Sequence, residues 1–213
     1  NKIYGLTKGQ YSPTTPKGSV TKTSPDGTIE NPFQPGELAM GAQGNFFARV
    51  VDTNLEMMKE VFIEAARHKG TSLVEVLQNC VIFNDDIHAE ITDKELREEH
   101  QIYLEHGKPM LFGKNKELGL VQDGNHMKVA RIGNGITVED VLVHDSKCAD
   151  PTRHYQLARM ALPEFPIAMG VIRSFDSSAY EDMLYAQINQ IRSTSKIRNM
   201  DDLMTSGNTF RLE

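Results

Sequence analysis

The stretch Asn1-Lys-Ile-Tyr-Gly-Leu-Thr-Lys-Gly-Gln-Tyr-Ser-Pro-Thr-Thr15 combines an amide side chain, hydroxyl groups, a cation and two glycines ahead of a proline. Gly5 and Gly9 allow backbone conformations that other residues avoid, so the main chain can approach a ligand and direct N–H groups at an anion. Thr7 and Lys8 add a hydroxyl and a positive charge at the same place. The pattern predicts a loop that binds a ligand. On composition alone, the alternative is an ordinary surface loop rich in turn-forming residues.

The composition is that of one ordinary globular domain, with 213 residues, 39% hydrophobic and 24% charged. A net charge of −6 and a pI near 5.7 argue against a broad nucleic-acid surface, which needs clustered Lys and Arg. No apolar run is long enough for a membrane helix or resembles a secretion signal, so we expect a cytoplasmic protein that does not bind membranes. Cys80 and Cys148 form no disulfide framework.

Two apolar segments flank a helical pattern and predict a βαβ unit. Residues 45–51 and Ser72–Leu77 are predicted strands, and Thr53 or Asn54 can cap the helix between them. The helix is expected to bury one stripe, made of Leu55, Met58, Phe62, Ala65 and Ala66. The crossover should be right-handed and the strands parallel, and ligands gather beyond the carboxyl ends of such strands. The second strand ends at Gln78-Asn79-Cys80.

The rest of the chain is less regular. We predict a polar helix over residues 93–103, a hairpin-like insertion over 107–135 and an apolar strand over 167–172. A last long helix has Met183, Leu184, Ile188 and Ile191 on one face. Residues 193–213 are polar and are predicted to form a tail that docks on a partner. His144 and Asp145 have no nucleophile in a matching context, which favours a structural role.

The order of residues in the opening stretch is more informative about its family than the composition. Asn1-x-Ile-Tyr-Gly-Leu-Thr-Lys-Gly-Gln-Tyr-Ser-Pro-Thr14 closely resembles the cofactor loop in the β subunits of 2-oxoacid:ferredoxin oxidoreductases, which are thiamine diphosphate enzymes. The resemblance continues through residues 77–85 and 162–173 and so covers most of the chain. The family motif begins with Gly-Asp-Gly, which this chain lacks, and ends in a pair such as Asn-Asn, whose second member corresponds to Asn1. We therefore expect a truncated sequence whose upstream residues supply the first half of the cofactor fold.

The resemblance also implies roles for individual residues. The Asn1 side chain and the Ile3 carbonyl are expected to be Mg²⁺ ligands, with the essential carboxylate in the missing Gly-Asp-Gly segment. Tyr4, Gly5, Thr7 and Gly9 are expected to bind thiamine diphosphate.

Cys80 is expected to be one ligand of a [4Fe–4S] cluster whose other three cysteines lie upstream. Without the resemblance, a lone Cys is more simply a small buried apolar residue, and Cys148 is assigned that structural role.

Leu6 and Lys8 are expected to form the substrate pocket. Relatives that act on pyruvate usually read Asn-Thr-Gly-Gly-Gln where this chain reads Leu6-Thr-Lys-Gly-Gln10. Lys8 can meet the second carboxylate of 2-oxoglutarate, which pyruvate lacks. The alternative is that Lys8 only balances phosphate charge and affects all substrates alike.

The resemblance implies the β subunit of a 2-oxoacid:ferredoxin oxidoreductase, with 2-oxoglutarate the favoured substrate. Its partners would be an α subunit, ferredoxin and coenzyme A. The expected fold is a partial parallel-sheet α/β thiamine diphosphate-binding fold with a C-terminal extension. Residues 1–85 would be the C-terminal half of the cofactor domain, and residues 86–213 a region with an insertion and a docking tail. A non-oxidative thiamine-dependent lyase and a non-catalytic assembly fragment are the alternatives.

Overall fold

A computed structural model describes residues 1–210 and divides the chain into two compact units, residues 1–176 and residues 177–213. The strands are β1 Phe46–Val51, β2 Ser72–Leu77, β3 Gln101–Leu104, β4 Leu111–Phe112, β5 Leu118–Asp123, β6 His126–Arg131 and β7 Ile167–Ser174. The helices are α1 Pro35–Gly41, α2 Leu55–Arg67, α3 Ala89–Thr92, α4 Arg97–His100, α5 Thr152–Arg159, α6 Tyr180–Thr194 and α7 Met200–Met204, with a 3-10 turn at Val138–Asp140.

The first unit is built on a four-stranded sheet with the order β2-β1-β7-β3. The β1–β2 and β3–β7 pairings are parallel, whereas β1 and β7 are antiparallel. Every residue of β1 is buried, as expected for a strand covered on both faces. The sheet takes two strands from before residue 85 and two from after it.

The predicted βαβ unit is confirmed. β1 and β2 pair in parallel from Phe46–Ser72 to Val51–Leu77, and α2 connects them. The Asn54 side chain caps α2 by accepting a hydrogen bond from the Met57 N–H at 3.2 Å. The two strands therefore end at the same edge of the sheet.

The predicted buried stripe of α2 is partly right: Met58 and Ala65 pack on the core, whereas Leu55 and Phe62 do not. Val61 is the buried residue of the helix, and Met57, Met58 and Ala65 pack against the same cluster. Leu55 and Phe62, which we expected inside, are exposed. The helix offers two overlapping apolar stripes at spacings of three and four, and contact with β1 and β2 decides which of them is covered.

The helix predicted over residues 93–103 is also partly wrong. Only Arg97–His100 is helical there, and Gln101–Leu104 forms an edge strand that pairs with β7. Ile102 is fully buried in this position. The expected insertion is present as a three-stranded antiparallel sheet with the order β4-β5-β6.

The second unit contains α6 and α7. Acidic residues in the first turn of α6 and Arg192 in its last turn complement the helix dipole. The Asn199 side chain caps α7 by accepting a hydrogen bond from the Asp202 N–H at 2.9 Å. Met183 and Ile191, on the predicted apolar face of α6, are exposed. Within residues 1–210, no helix combines the length and apolar character needed to cross a membrane.

Candidate functional site

Residues 4–10 form a tight turn, here called the 4–10 turn. The Tyr4 N–H donates to the Gln10 carbonyl at 2.8 Å, and the Gly9 N–H donates to the Tyr4 carbonyl at 3.0 Å. Lys8 and Gly9 both have positive φ, 62° and 101°, which explains the glycine at the second position. Leu6, Thr7 and Lys8 occupy the exposed tip, where the Leu6 side chain is 96% exposed. The turn therefore presents a hydroxyl, an ammonium group and an apolar side chain together.

The base of this turn is anchored to the first unit. The Thr15 hydroxyl donates to the Lys2 carbonyl at 2.6 Å, and the Ile3 side chain is buried. The Ile3 N–H donates to Asn1 Oδ1 at 3.3 Å, so the Asn1 side chain folds back over the residue whose carbonyl is the second predicted metal ligand. The two predicted metal-binding positions are neighbours in space.

Cys80 lies in a second turn, residues 79–86, which follows β2 and is here called the 79–86 turn. The Asn79 N–H donates at 3.0 Å to Asp52 Oδ2, just beyond the end of β1. The carboxyl ends of both parallel strands thus converge at the edge where α/β sheets place ligands. Cys80 is a free, partly exposed cysteine.

The structure brings the two turns together. Asn84 Nδ2 donates to the Asn1 carbonyl at 2.9 Å, although the residues are 83 positions apart. The turn that contains Cys80 therefore contacts Asn1, one of the two predicted metal-binding residues.

A cavity of about 450 Å³ beside Lys2, lined by both charged and apolar side chains, was not anticipated from the sequence. Arg49 Nε pairs with Glu75 Oε2 at 2.6 Å, across the β1–β2 register, and the Arg49 NH2 group donates to the Ala158 carbonyl at 3.1 Å. Burial, followed by the charge of Lys2, lowers the pKa of His88 to about 4. The sequence signal for this cavity was the presence of two opposite charges, Arg49 and Glu75, in two largely apolar strands.

The donor chemistry of the 4–10 turn and its base fits half of a magnesium diphosphate site. Amide and carbonyl oxygens are hard ligands of the kind Mg²⁺ prefers. The chain supplies no carboxylate within residues 1–15. Cys80 likewise fits as a single cluster ligand, and residues 1–210 contain no group of three or more His, Cys, Asp or Glu side chains arranged to hold a metal.

Residues 1–76 match the family described as thiamine pyrophosphate enzyme, C-terminal TPP binding domain. The 2-oxoglutarate oxidoreductase subunit KorB of Mycobacterium tuberculosis is 38% identical over 196 residues, which are 92% of this chain and 52% of that protein. The 2-oxoglutarate synthase subunit KorB of Archaeoglobus fulgidus is 42% identical over 80 residues, 38% of this chain and 30% of that protein. The 2-oxoacid:ferredoxin oxidoreductase 1 subunit beta of Aeropyrum pernix is 40% identical over 90 residues, 42% of this chain and 28% of that protein.

A solved structure has the same fold. It is a 2-oxoglutarate:ferredoxin oxidoreductase from Magnetococcus marinus with 2-oxoglutarate, coenzyme A and succinyl-CoA bound. The TM-score is 0.64 at 20% identity, and the match covers 98% of this chain and 56% of the other. The chain therefore spans about half the length of the relatives that it matches over most of its residues. It is homologous to part of the β subunits of 2-oxoacid:ferredoxin oxidoreductases, and its first 76 residues match a thiamine diphosphate-binding domain.

Proposed function

We propose that the chain is part of the β subunit of a 2-oxoacid:ferredoxin oxidoreductase, which works with an α subunit in the cytoplasm. The reaction converts a 2-oxoacid and coenzyme A to acyl-CoA and CO₂, and releases one proton and two electrons. Two ferredoxin-type acceptors take up the electrons, one each. The observation that supports this most directly is the 2.9 Å hydrogen bond from Asn84, in the turn that contains Cys80, to Asn1, at the start of the predicted cofactor loop.

In this proposal the chain contributes half of the cofactor site. The Asn1 side chain and the Ile3 carbonyl bind Mg²⁺, while Tyr4, Gly5, Thr7 and Gly9 form the surface that receives thiamine diphosphate. When bound, thiamine diphosphate supplies the carbanion that attacks the ketone carbon and accepts the electrons left by CO₂. The chain's own residues bind and orient, and the missing carboxylate comes from residues outside the chain.

Lys8 and Leu6 select the 2-oxoacid. Both lie at the exposed tip of the 4–10 turn, where a bound 2-oxoacid with a second carboxylate would meet the Lys8 ammonium. We propose 2-oxoglutarate as the substrate, because its distal carboxylate gives the Lys8 ammonium a partner that pyruvate lacks. A charge-assisted contact of this kind contributes about 1.5–3 kcal/mol.

Cys80 is proposed as one thiolate ligand of a [4Fe–4S] cluster that accepts electrons singly. The contact of its turn with Asn1, through Asn84, supports a cluster close to the thiamine site. Residues 1–85 would form the C-terminal half of the cofactor domain, and residues 86–213 a region with an insertion and a docking tail.

Cys80→Ala in the intact β subunit, prepared anaerobically with its α subunit, tests this assignment. We expect the brown absorbance and the iron and labile sulfide content to fall, and electron transfer to ferredoxin to fail. Cys148→Ala is the matched control, because Cys148 lies in another loop and should leave the cluster intact. Full iron content and turnover in the Cys80 variant would refute the assignment.

A further inference from the structure

The 79–86 turn is held in shape by its own side chains. Asn79 donates from Nδ2 to Asp85 Oδ1 at 2.7 Å and accepts at Oδ1 from the Asp86 N–H at 3.0 Å. The Asn84 N–H donates to the Cys80 carbonyl at 2.9 Å. Cys80 and Asn84 therefore occupy fixed positions in one closed turn. A displacement of Asn84 would also displace Cys80.

Phe83 packs against the 4–10 turn at its two glycines. A Cβ atom added to Gly9 would lie 3.4 Å from Phe83 Cδ1, and one added to Gly5 would lie 4.0 Å from Phe83 Cε2. On Phe83, the Lys22 ammonium lies 5.6 Å from the ring centroid, a cation–π arrangement. The glycines thus bring the backbone of the 4–10 turn close to the aromatic ring.

Asn84 makes a polar contact next to this apolar one. Its Nδ2 atom donates to the Asn1 carbonyl at 2.9 Å, so the residue predicted to bind Mg²⁺ is tied to the turn that contains Cys80. The backbone carbonyl of Asn1 is the acceptor, which leaves the Asn1 side-chain oxygen outside this contact. Phe83 and Asn84 are consecutive: Phe83 contacts the 4–10 turn itself, and Asn84 contacts Asn1, three residues before that turn.

We propose that Phe83 and Asn84 are positioning residues, which fix the separation between the thiamine site and the cluster bound by Cys80. The inference rests on the proposed function. The rate of a single-electron step falls steeply with distance, and functional groups need to be held to about 0.5 Å to work at full rate. Neither residue touches a reacting atom in this account, so each acts through the loop that it holds.

Two substitutions test the two contacts in the intact subunit with its α subunit. Asn84→Asp keeps the size of the side chain but replaces the N–H donor with an acceptor that faces the Asn1 carbonyl. Phe83→Leu removes the ring, and Phe83→Tyr is the conservative variant that keeps it. Ile82→Ala is the matched control in the same turn, because the Ile82 side chain is exposed.

Single-turnover measurements separate the release of CO₂ from the reduction of the cluster. In Asn84→Asp and Phe83→Leu, we expect reduction of the cluster, followed by absorbance, to slow by roughly tenfold or more beyond any slowing of CO₂ release. Iron content and thiamine diphosphate occupancy should stay near wild type. Phe83→Tyr and Ile82→Ala should behave as wild type. Unchanged cluster reduction, or an equal loss in both steps, would overturn the inference.

Hydrogen exchange of residues 1–11 provides a second readout that needs no cofactor. Asn84→Asp and Phe83→Leu should raise exchange in this segment relative to wild type and to Ile82→Ala. Unchanged exchange means that the two turns are not joined and overturns the inference by itself. If wild-type enzyme contained neither iron nor thiamine diphosphate, the proposed function would fail, and the exchange result would still decide whether the two residues hold the turns together.

Discussion

His144 gives the first unit a stability that depends on pH. The side chain is fully buried, and its Nε2 lies 2.9 Å from the Val171 carbonyl, to which it donates. Its Nδ1 is buried and has no hydrogen-bond partner within residues 1–210, so a proton added there would find no acceptor. Burial lowers the pKa of His144 to about 4, although the hydrogen bond to Val171 acts in the opposite direction and raises this pKa. The neighbouring His154 and His106 also lower this pKa, and Asp145 raises it.

The sign follows from the direction of the shift. The folded pKa of His144 is below that of the unfolded chain, so its contribution is fully present above about pH 6.5 and is lost as the pH falls towards 4. For a shift from 6.5 to about 4, the free energy of unfolding should fall by about 2 kcal/mol between pH 8 and pH 5 through this group alone. Burial also lowers the pKa values of His154 and His88, so both add to the loss in the same direction.

Urea unfolding of the chain at pH 8, 6.5 and 5 measures this effect. His144→Gln keeps a donor for the Val171 carbonyl but does not titrate, so its stability should depend less on pH, by about 2 kcal/mol over the same interval. The control is His126→Gln, since His126 is exposed on β6 and should leave the wild-type dependence unchanged. Equal pH dependence in wild type and His144→Gln would refute the reasoning.

Three further predictions concern the site and the fold. Asn1→Leu in the intact subunit should weaken thiamine diphosphate and Mg²⁺ binding together, because a metal oxygen ligand is lost; unchanged cofactor content after purification would contradict this role. Lys8→Gly should lower kcat/KM for 2-oxoglutarate by roughly tenfold to a hundredfold more than for pyruvate, whereas an equal loss would identify Lys8 as a phosphate-binding residue. Gly36→Ala would place a Cβ 2.3 Å from the buried Phe47 ring and should lower the free energy of unfolding by about 1–3 kcal/mol, while Gly41→Ala in the same helix meets only Tyr155 at 3.7 Å and serves as control.

The elements with strong local patterns were predictable. The apolar runs of β1 and β2, the cap at Asn54 and the helix between them gave the βαβ unit and the edge at which Cys80 lies. The opening motif gave the family resemblance that the comparisons support. These features follow from the sequence because each depends on residues close together in the chain.

Tertiary contacts decided the features that the sequence did not predict: the edge strand β3, the buried face of α2 and the contact between Asn84 and Asn1. Gln101–Leu104 continues a polar segment that favours a helix. In the structure it pairs with β7 instead and buries Ile102, and this burial outweighs the local helix propensity. On α2, contact with the sheet covers Val61 and leaves Phe62 exposed. The hydrogen bond from Asn84 to Asn1 joins residues 83 positions apart. No local pattern encodes that pair, because the distance between two turns is set only when the sheet beneath them has folded.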